Sequence, residues 1–146
     1  MTPSTSQDYR PIGDYGVIGD GHTAALIARD GSVDWFCFPR FDSAAVFCRL
    51  LDSAKGGCFR VGPAKAHHQS RSYIGATNVL ATIFTAPDGR FRLTDFMPIR
   101  DSASGAEHQP RIVRQLEGIS GTPEVEIRFA PTFNYARDTT KMTLCD

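Results

Sequence analysis

A chain of 146 residues, 41% hydrophobic and 22% charged, is the size of one domain with a real core, since a domain near 150 residues buries roughly 70% of the surface its unfolded chain exposes. Sixteen basic residues balance sixteen acidic ones, and this neutral balance speaks against a nucleic-acid or anionic-membrane surface. The opening MTPSTSQDYR has neither the basic nor the apolar segment of a signal peptide, and no apolar run approaches the roughly 20 residues of a spanning helix, so the expected location is the cytoplasm.

Residues 1–8 are polar and expected to be disordered, which leaves 9–146 as a single domain. Gly13, Gly16, Gly19 and Gly21 surround the apolar segment 15–18, which reads as a strand with glycine bends. A hairpin follows, with strands over 23–28 and 32–38 and the tight turn at Asp30-Gly31, where both residue types tolerate φ > 0. Strict alternation places Val33, Trp35 and Cys37 on one face of the second strand and Asp34, Phe36 and Phe38 on the other. A strand apolar on nearly both faces is predicted to be buried on both. Pro39 breaks the ladder. Asp42 or Ser43 then caps an expected short helix over 44–51, with Val46, Phe47, Leu50 and Leu51 on one side. Between strand and helix, the corner Pro39-Arg40-Phe41-Asp42-Ser43 brings an arginine, a ring and a carboxylate to one exposed place, and loops held by rigid strands are where binding groups usually sit.

Residues 58–61 form a short strand and 67–74 a polar, edge-like one. A second hairpin pairs 78–86 with 91–97 around Pro87-Asp88-Gly89-Arg90. A third pair is predicted from 111–119 and 123–130, turning at Ser120-Gly121-Thr122; the second of these alternates Val125, Ile127 and Phe129 against Glu124, Glu126 and Arg128, the pattern of a half-buried strand. Another strand begins at 141–145. Eight or nine short strands joined by hairpin turns, with one short helix and no βαβ alternation, predict an all-β fold, an antiparallel β-sandwich.

Chemistry-bearing motifs are sparse. Gly19-x-Gly21-x-x-Ala24 matches a dinucleotide fingerprint but opens a strand instead of a helix, so it has no helical amides for a pyrophosphate. His67 and His68 are adjacent and point to opposite faces of a strand, and His22 and His108 are isolated, so no metal or cofactor is expected. Cys37, Cys48, Cys58 and Cys145 form no Cys-x-x-Cys pair and read as reduced, mostly buried thiols. Asp34 and Asp95 lie in strands among apolar neighbours and read as structural carboxylates accepting backbone amides. Trp35 is a core residue whose indole N–H wants a partner. Arg40 reads as a salt-bridge partner or a sugar ligand, and Asp42 as a helix cap or an acceptor.

Taken in order, Pro11-Ile12-Gly13-Asp14-Tyr15, Ile18-Gly19-Asp20-Gly21, Arg29-Asp30-Gly31-Ser32-Val33-Asp34-Trp35, Pro39-Arg40-Phe41-Asp42-Ser43, Thr94-Asp95-Phe96-Met97-Pro98 and Arg111-Ile112-Val113-Arg114 resemble the N-terminal domain of bacterial glycoside hydrolase family 15 proteins, the glucoamylase-like and trehalase-like enzymes. The resemblance implies a large β-sandwich preceding an (α/α)6 barrel, which carries two glutamates, general acid and general base, that hydrolyse an α-glucosidic bond with inversion at the anomeric carbon. Glu107, Glu117, Glu124 and Glu126 match neither catalytic position, so the chain alone is expected to be inactive, with the barrel as its partner and an α-glucoside as substrate of the intact enzyme. Within that enzyme Trp35, Arg40, Phe41 and Asp42 are expected to border the substrate cleft. The family's domain runs well beyond 146 residues, so the sandwich is expected to be incomplete, with an unpaired edge that invites self-association or poor solubility. A stand-alone carbohydrate-binding or protein-interaction sandwich is the other reading.

Overall fold

The computed structural model describes residues 9–99 and 109–143. A 3-10 turn, Ile12–Asp14, leads into strands β1 (Gly16–Gly19), β2 (Ala24–Ile27), β3 (Ser32–Cys37), β4 (Ala45–Phe47), β5 (Cys58–Pro63), β6 (His68–Tyr73), β7 (Leu80–Ala86), β8 (Gly89–Phe96), β9 (Val113–Gly121) and β10 (Val125–Ala130). They form two antiparallel sheets, as the all-β reading predicts. The first has the order β1-β2-β3-β5-β10 with β4 added to β3; the second has the order β6-β7-β8-β9. No helix of the described residues is long and apolar enough to cross a membrane.

The two predicted hairpins are present. Gly31 turns β2 into β3 at φ 81°, and a Cβ there would sit 2.0 Å from the Val61 carbonyl oxygen, so only glycine lets β5 approach. Ile18, Ile27, Val33 and Phe36 pack with Leu80 and Met97 of the opposite sheet, while Val61 packs with Phe84, Phe91 and Leu93. Alternation in β7 and β8 sends Leu80, Phe84, Phe91 and Leu93 inward because successive Cβ atoms point to opposite faces.

One buried arginine ties the sheets together. Arg114 on β9 meets Asp95 on β8 at 2.8 Å, and both side chains are almost fully buried, 4% and 0% exposed. The same guanidinium donates to the carbonyls of Phe59 and Gly31, each at 2.6 Å, and lies 4.8 Å from the centre of the Phe59 ring. Asp95 therefore accepts from a side chain, not from backbone amides as the sequence leads one to expect.

Several expectations are corrected. Residues 44–51 form no helix: Ala45 pairs with Cys37 and Phe47 with Phe36 as β4, and turns follow. A helix this short is marginal in water, and pairing with β3 satisfies the backbone while burying Ala45 and Phe47. Asp42 consequently caps nothing helical. On β3, Leu26 pairs with Trp35 but Ile27 pairs with Val33, so a bulge at Asp34 breaks strict alternation. Val33 and Phe36 share one core cluster, while Trp35 packs against a third, small one formed by Cys37, Ala45 and Cys48. The third pair is not a hairpin: β9 stays on β8, and the chain crosses between the sheets to place β10 on β5. Ile127 and Phe129, expected on the buried face of a half-buried strand, are 66% and 53% exposed: β10 is the last strand of its sheet, and Phe129 meets the Phe47 and Phe59 rings edge-on, at 6.0 and 5.2 Å. Residues 141–143 are irregular, and 144–146, like 1–8, lie outside the described residues.

Candidate functional site

The predicted corner leaves the end of β3 as an exposed loop. The Arg40 Nε donates to Asp42 Oδ1 at 3.2 Å, and their side chains are 73% and 78% exposed. The Arg40 amide donates to Ser43 Oγ and the Phe41 amide to the His22 carbonyl, so the loop's backbone is held while the Arg40, Phe41 and Asp42 side chains stay exposed. Arg40, Phe41 and Asp42 line a recess of about 220 Å3 with Gly21 and His22. Trp35 does not join them. It is half-buried on β3, its ring 6.4 Å from that of Tyr135.

A larger recess, about 620 Å3, opens where the N-terminal segment crosses β3. Its floor is Asp34, turned there by the bulge. The Asp34 carboxylate accepts from Tyr15 Oη at 3.0 Å and from Ser32 Oγ, and Arg10 Nε stands 3.8 Å away. Arg10 also donates to Asp30 at 2.7 Å. Burial, then the adjacent Asp34 charge and hydrogen bond, push the Tyr15 phenol up to about 12. Arg49 completes the wall and approaches the Cys58 thiol at 3.9 Å. Sequence reasoning singled out Asp34 but not Arg10, Tyr15 or Arg49. They lie 24, 19 and 15 residues from Asp34 in the chain, and only the bulge and the later turn bring them together. With every acid here already held by donors, the recess offers hydrogen-bond donors and aromatic edges, a lining suited to hydroxyls or carbonyls and unsuited to proton transfer.

No acid–base pair stands elsewhere among the described residues that carry glutamate. Glu117 pairs with Arg92 and Glu126 with Arg60 on strands, and Glu124, just before β10, approaches Lys65 at 3.9 Å; all three glutamates are exposed. Cys37, Cys48 and Cys58 are free and buried, and burial pushes the Cys37 and Cys48 thiols up, away from the reactive thiolate. Among the described residues no three His, Cys, Asp or Glu side chains gather where they could hold a metal.

The chain matches the family described as trehalase-like, N-terminal, over residues 5–146. It is 41% identical over 138 residues to a trehalase of Thermoplasma volcanium, covering 92% of this chain and 22% of that protein. It is 36% identical over 122 residues to trehalase 2 of Sulfolobus acidocaldarius, with 83% and 19% covered, and 31% identical over 149 residues to a trehalase of Mycolicibacterium smegmatis, with 92% and 22% covered. The chain thus spans about a fifth of the length of these curated relatives. No solved structure matches it. A match that runs through both sheets, the corner and the Asp95–Arg114 pair leaves one assignment: the chain belongs to the trehalase-like N-terminal domain family.

Proposed function

We propose that this chain is the non-catalytic N-terminal sandwich of a family 15 glycoside hydrolase of the trehalase or glucoamylase type, and that its 39–43 corner faces the catalytic α/α barrel and borders the α-glucoside cleft. The observation that carries the proposal is the corner itself: a guanidinium, a ring and a carboxylate held by a rigid backbone and left exposed. Arg40 has a planar fork of donors that matches neighbouring sugar hydroxyls, Asp42 accepts from them, and Phe41 offers an apolar face to a pyranose ring. Trp35, packed against Tyr135, steadies the strand from which the corner departs. The surface-paired glutamates support a non-catalytic role, since neither general acid nor general base is available in them.

The test uses the complete enzyme, with this sandwich joined to its barrel. Arg40→Ala is expected to raise KM for trehalose or maltose roughly tenfold, the loss of one charge-assisted hydrogen bond, at unchanged melting temperature. Unchanged kinetics at unchanged stability would remove the corner from the site. The 146-residue chain alone is expected to release no glucose from either sugar. Tight calorimetric binding of trehalose by that isolated chain would instead favour a stand-alone sugar-binding sandwich.

A further inference from the structure

Besides β4, which pairs only with β3, the two sheets have four outer strands, and they end differently. Along β1, Val17 gives its amide proton to Tyr73 Oη at 2.8 Å and accepts from the same hydroxyl at 2.9 Å, so a side chain from β6 occupies the edge where another strand would bind. β6 reads His68-Gln69-Ser70-Arg71-Ser72-Tyr73, polar along most of its length. β9 holds its Arg114 in the buried pair and its Glu117 against Arg92, and carries two glycines. β10 shares one of these features, its Glu126 being held by Arg60 at 2.8 Å, but it has no glycine, and among the described residues no strand lies beside its outer edge. Ile127 and Phe129 are exposed on its apolar face, and Glu126 and Arg128 alternate with them. A regular, apolar, unpaired edge is a template for another strand.

The pattern of β10, Val125-Glu126-Ile127-Arg128-Phe129, is self-complementary. Laid antiparallel on itself about Ile127, it sets Glu126 opposite Arg128 twice, Val125 opposite Phe129 twice, and Ile127 opposite its own copy. Moving the centre to Glu126 sets two glutamates face to face, and moving it to Arg128 sets two arginines face to face. Opposite charges across a strand pair stabilise it and like charges weaken it, so one register is favoured. We propose that the free edge of β10 docks β10 of a second copy of this chain, antiparallel, with the two-fold axis at Ile127. Two sheets then become one continuous sheet, and the Ile127 and Phe129 side chains of both copies form a shared apolar row. Because the contact uses the same surface on both copies, it closes at the dimer. This proposal is independent of the catalytic reading above.

Sedimentation velocity of the 146-residue chain over a micromolar to millimolar range tests it. A reversible monomer–dimer equilibrium is expected. Arg128→Glu places like charges at two symmetric positions and should weaken the dimer by about tenfold. Adding Glu126→Arg to that variant restores opposite charges and should restore the dimer. Ile127→Lys should leave only monomer. A circular-dichroism melt of each variant separates weakened association from lost folding. A wild-type chain that stays monomeric at millimolar concentration, association that runs on past the dimer, a dimer indifferent to Ile127→Lys, or a double reversal that restores nothing from a folded variant each overturns the proposal.

Discussion

At the scale of single residues, stability turns on where the buried charges find their partners. Burial pushes the Asp95 carboxyl above the ordinary range, and Arg114 pulls it back. A carboxyl raised in the folded state contributes most below the pKa of the unfolded chain, and that contribution is lost as pH rises through the folded pKa. Arg114→Ala removes that counter-force, so burial raises Asp95 further and leaves its carboxyl unpaired at neutral pH. The expected cost is about 3–5 kcal/mol at pH 7, shrinking as pH falls toward the unfolded carboxyl near 4. Urea unfolding at pH 7 and pH 4.5 measures it, and an equal deficit at both values would refute the account. Arg114→Lys should rescue little, because a point charge cannot serve Asp95, Phe59 and Gly31 together. Tyr15 has the same sign at the other end of the scale. Its phenol is held at about 12, chiefly by burial and then by Asp34, so its contribution is present below an unfolded tyrosine's value near 10 and is lost between there and about 12. Tyr15→Phe should flatten the fall in stability over that alkaline window, and an unchanged slope would count against the assignment.

At the scale of elements, the hairpins were legible because Asp-Gly turns and period-two patterns are local signals. What was not legible depends on partners distant in sequence. The 44–51 segment has an apolar stripe at helical spacing, and nothing nearby announces that β3 needs a partner for Phe36 and Cys37. The bulge at Asp34 is equally silent, yet it turns that carboxylate toward Tyr15 and gathers the larger recess. β9 and β10 read as a hairpin because a glycine turn lies between them; Arg114 holds the first to β8 while β5 takes the second. The corner at Arg40 to Asp42 lies exposed at the end of β3, as its local turn chemistry implies, whereas Trp35, close in sequence, packs apart from it beside Tyr135. Glycine positions test how far the turns matter. Gly21 and Gly31 have nearly the same φ, 86° and 81°, but a Cβ at Gly21 meets open space whereas one at Gly31 meets the Val61 carbonyl. Gly21→Ala should therefore cost about 1 kcal/mol, the conformational penalty alone, and Gly31→Ala distinctly more, since β5 must also move. Equal losses in urea denaturation would mean that the contact with β5 is dispensable.

At the scale of the whole molecule, the sandwich is stitched on one side and loose on the other. On the β1–β6 side, Tyr73 clamps Val17, Arg71 donates to the Ile27 and Asp14 carbonyls at 2.9 and 3.0 Å, and the Asn78 side chain donates to the Gly19 carbonyl. On the β9–β10 side, Leu116, Ile119, Ile127 and Phe129 stay exposed, and the buried Arg114 is the main bridge. Amide exchange reports such differences, because segments with few buried apolar contacts open without global unfolding. The dilute chain should therefore exchange slowest in β2, β3, β7 and β8, and fastest among its strands in β9 beyond Leu116 and in β10. Tyr73→Phe removes both bonds to Val17 and strands that residue's amide and carbonyl at the edge. Exchange at Val17 should quicken by roughly tenfold, a local loss on the order of 1 kcal/mol, with β10 unaffected. If β10 proved as protected as β3 in dilute monomer, or if Tyr73→Phe quickened β10 as much as β1, the two sides would be one cooperative unit and the asymmetry would have no energetic meaning.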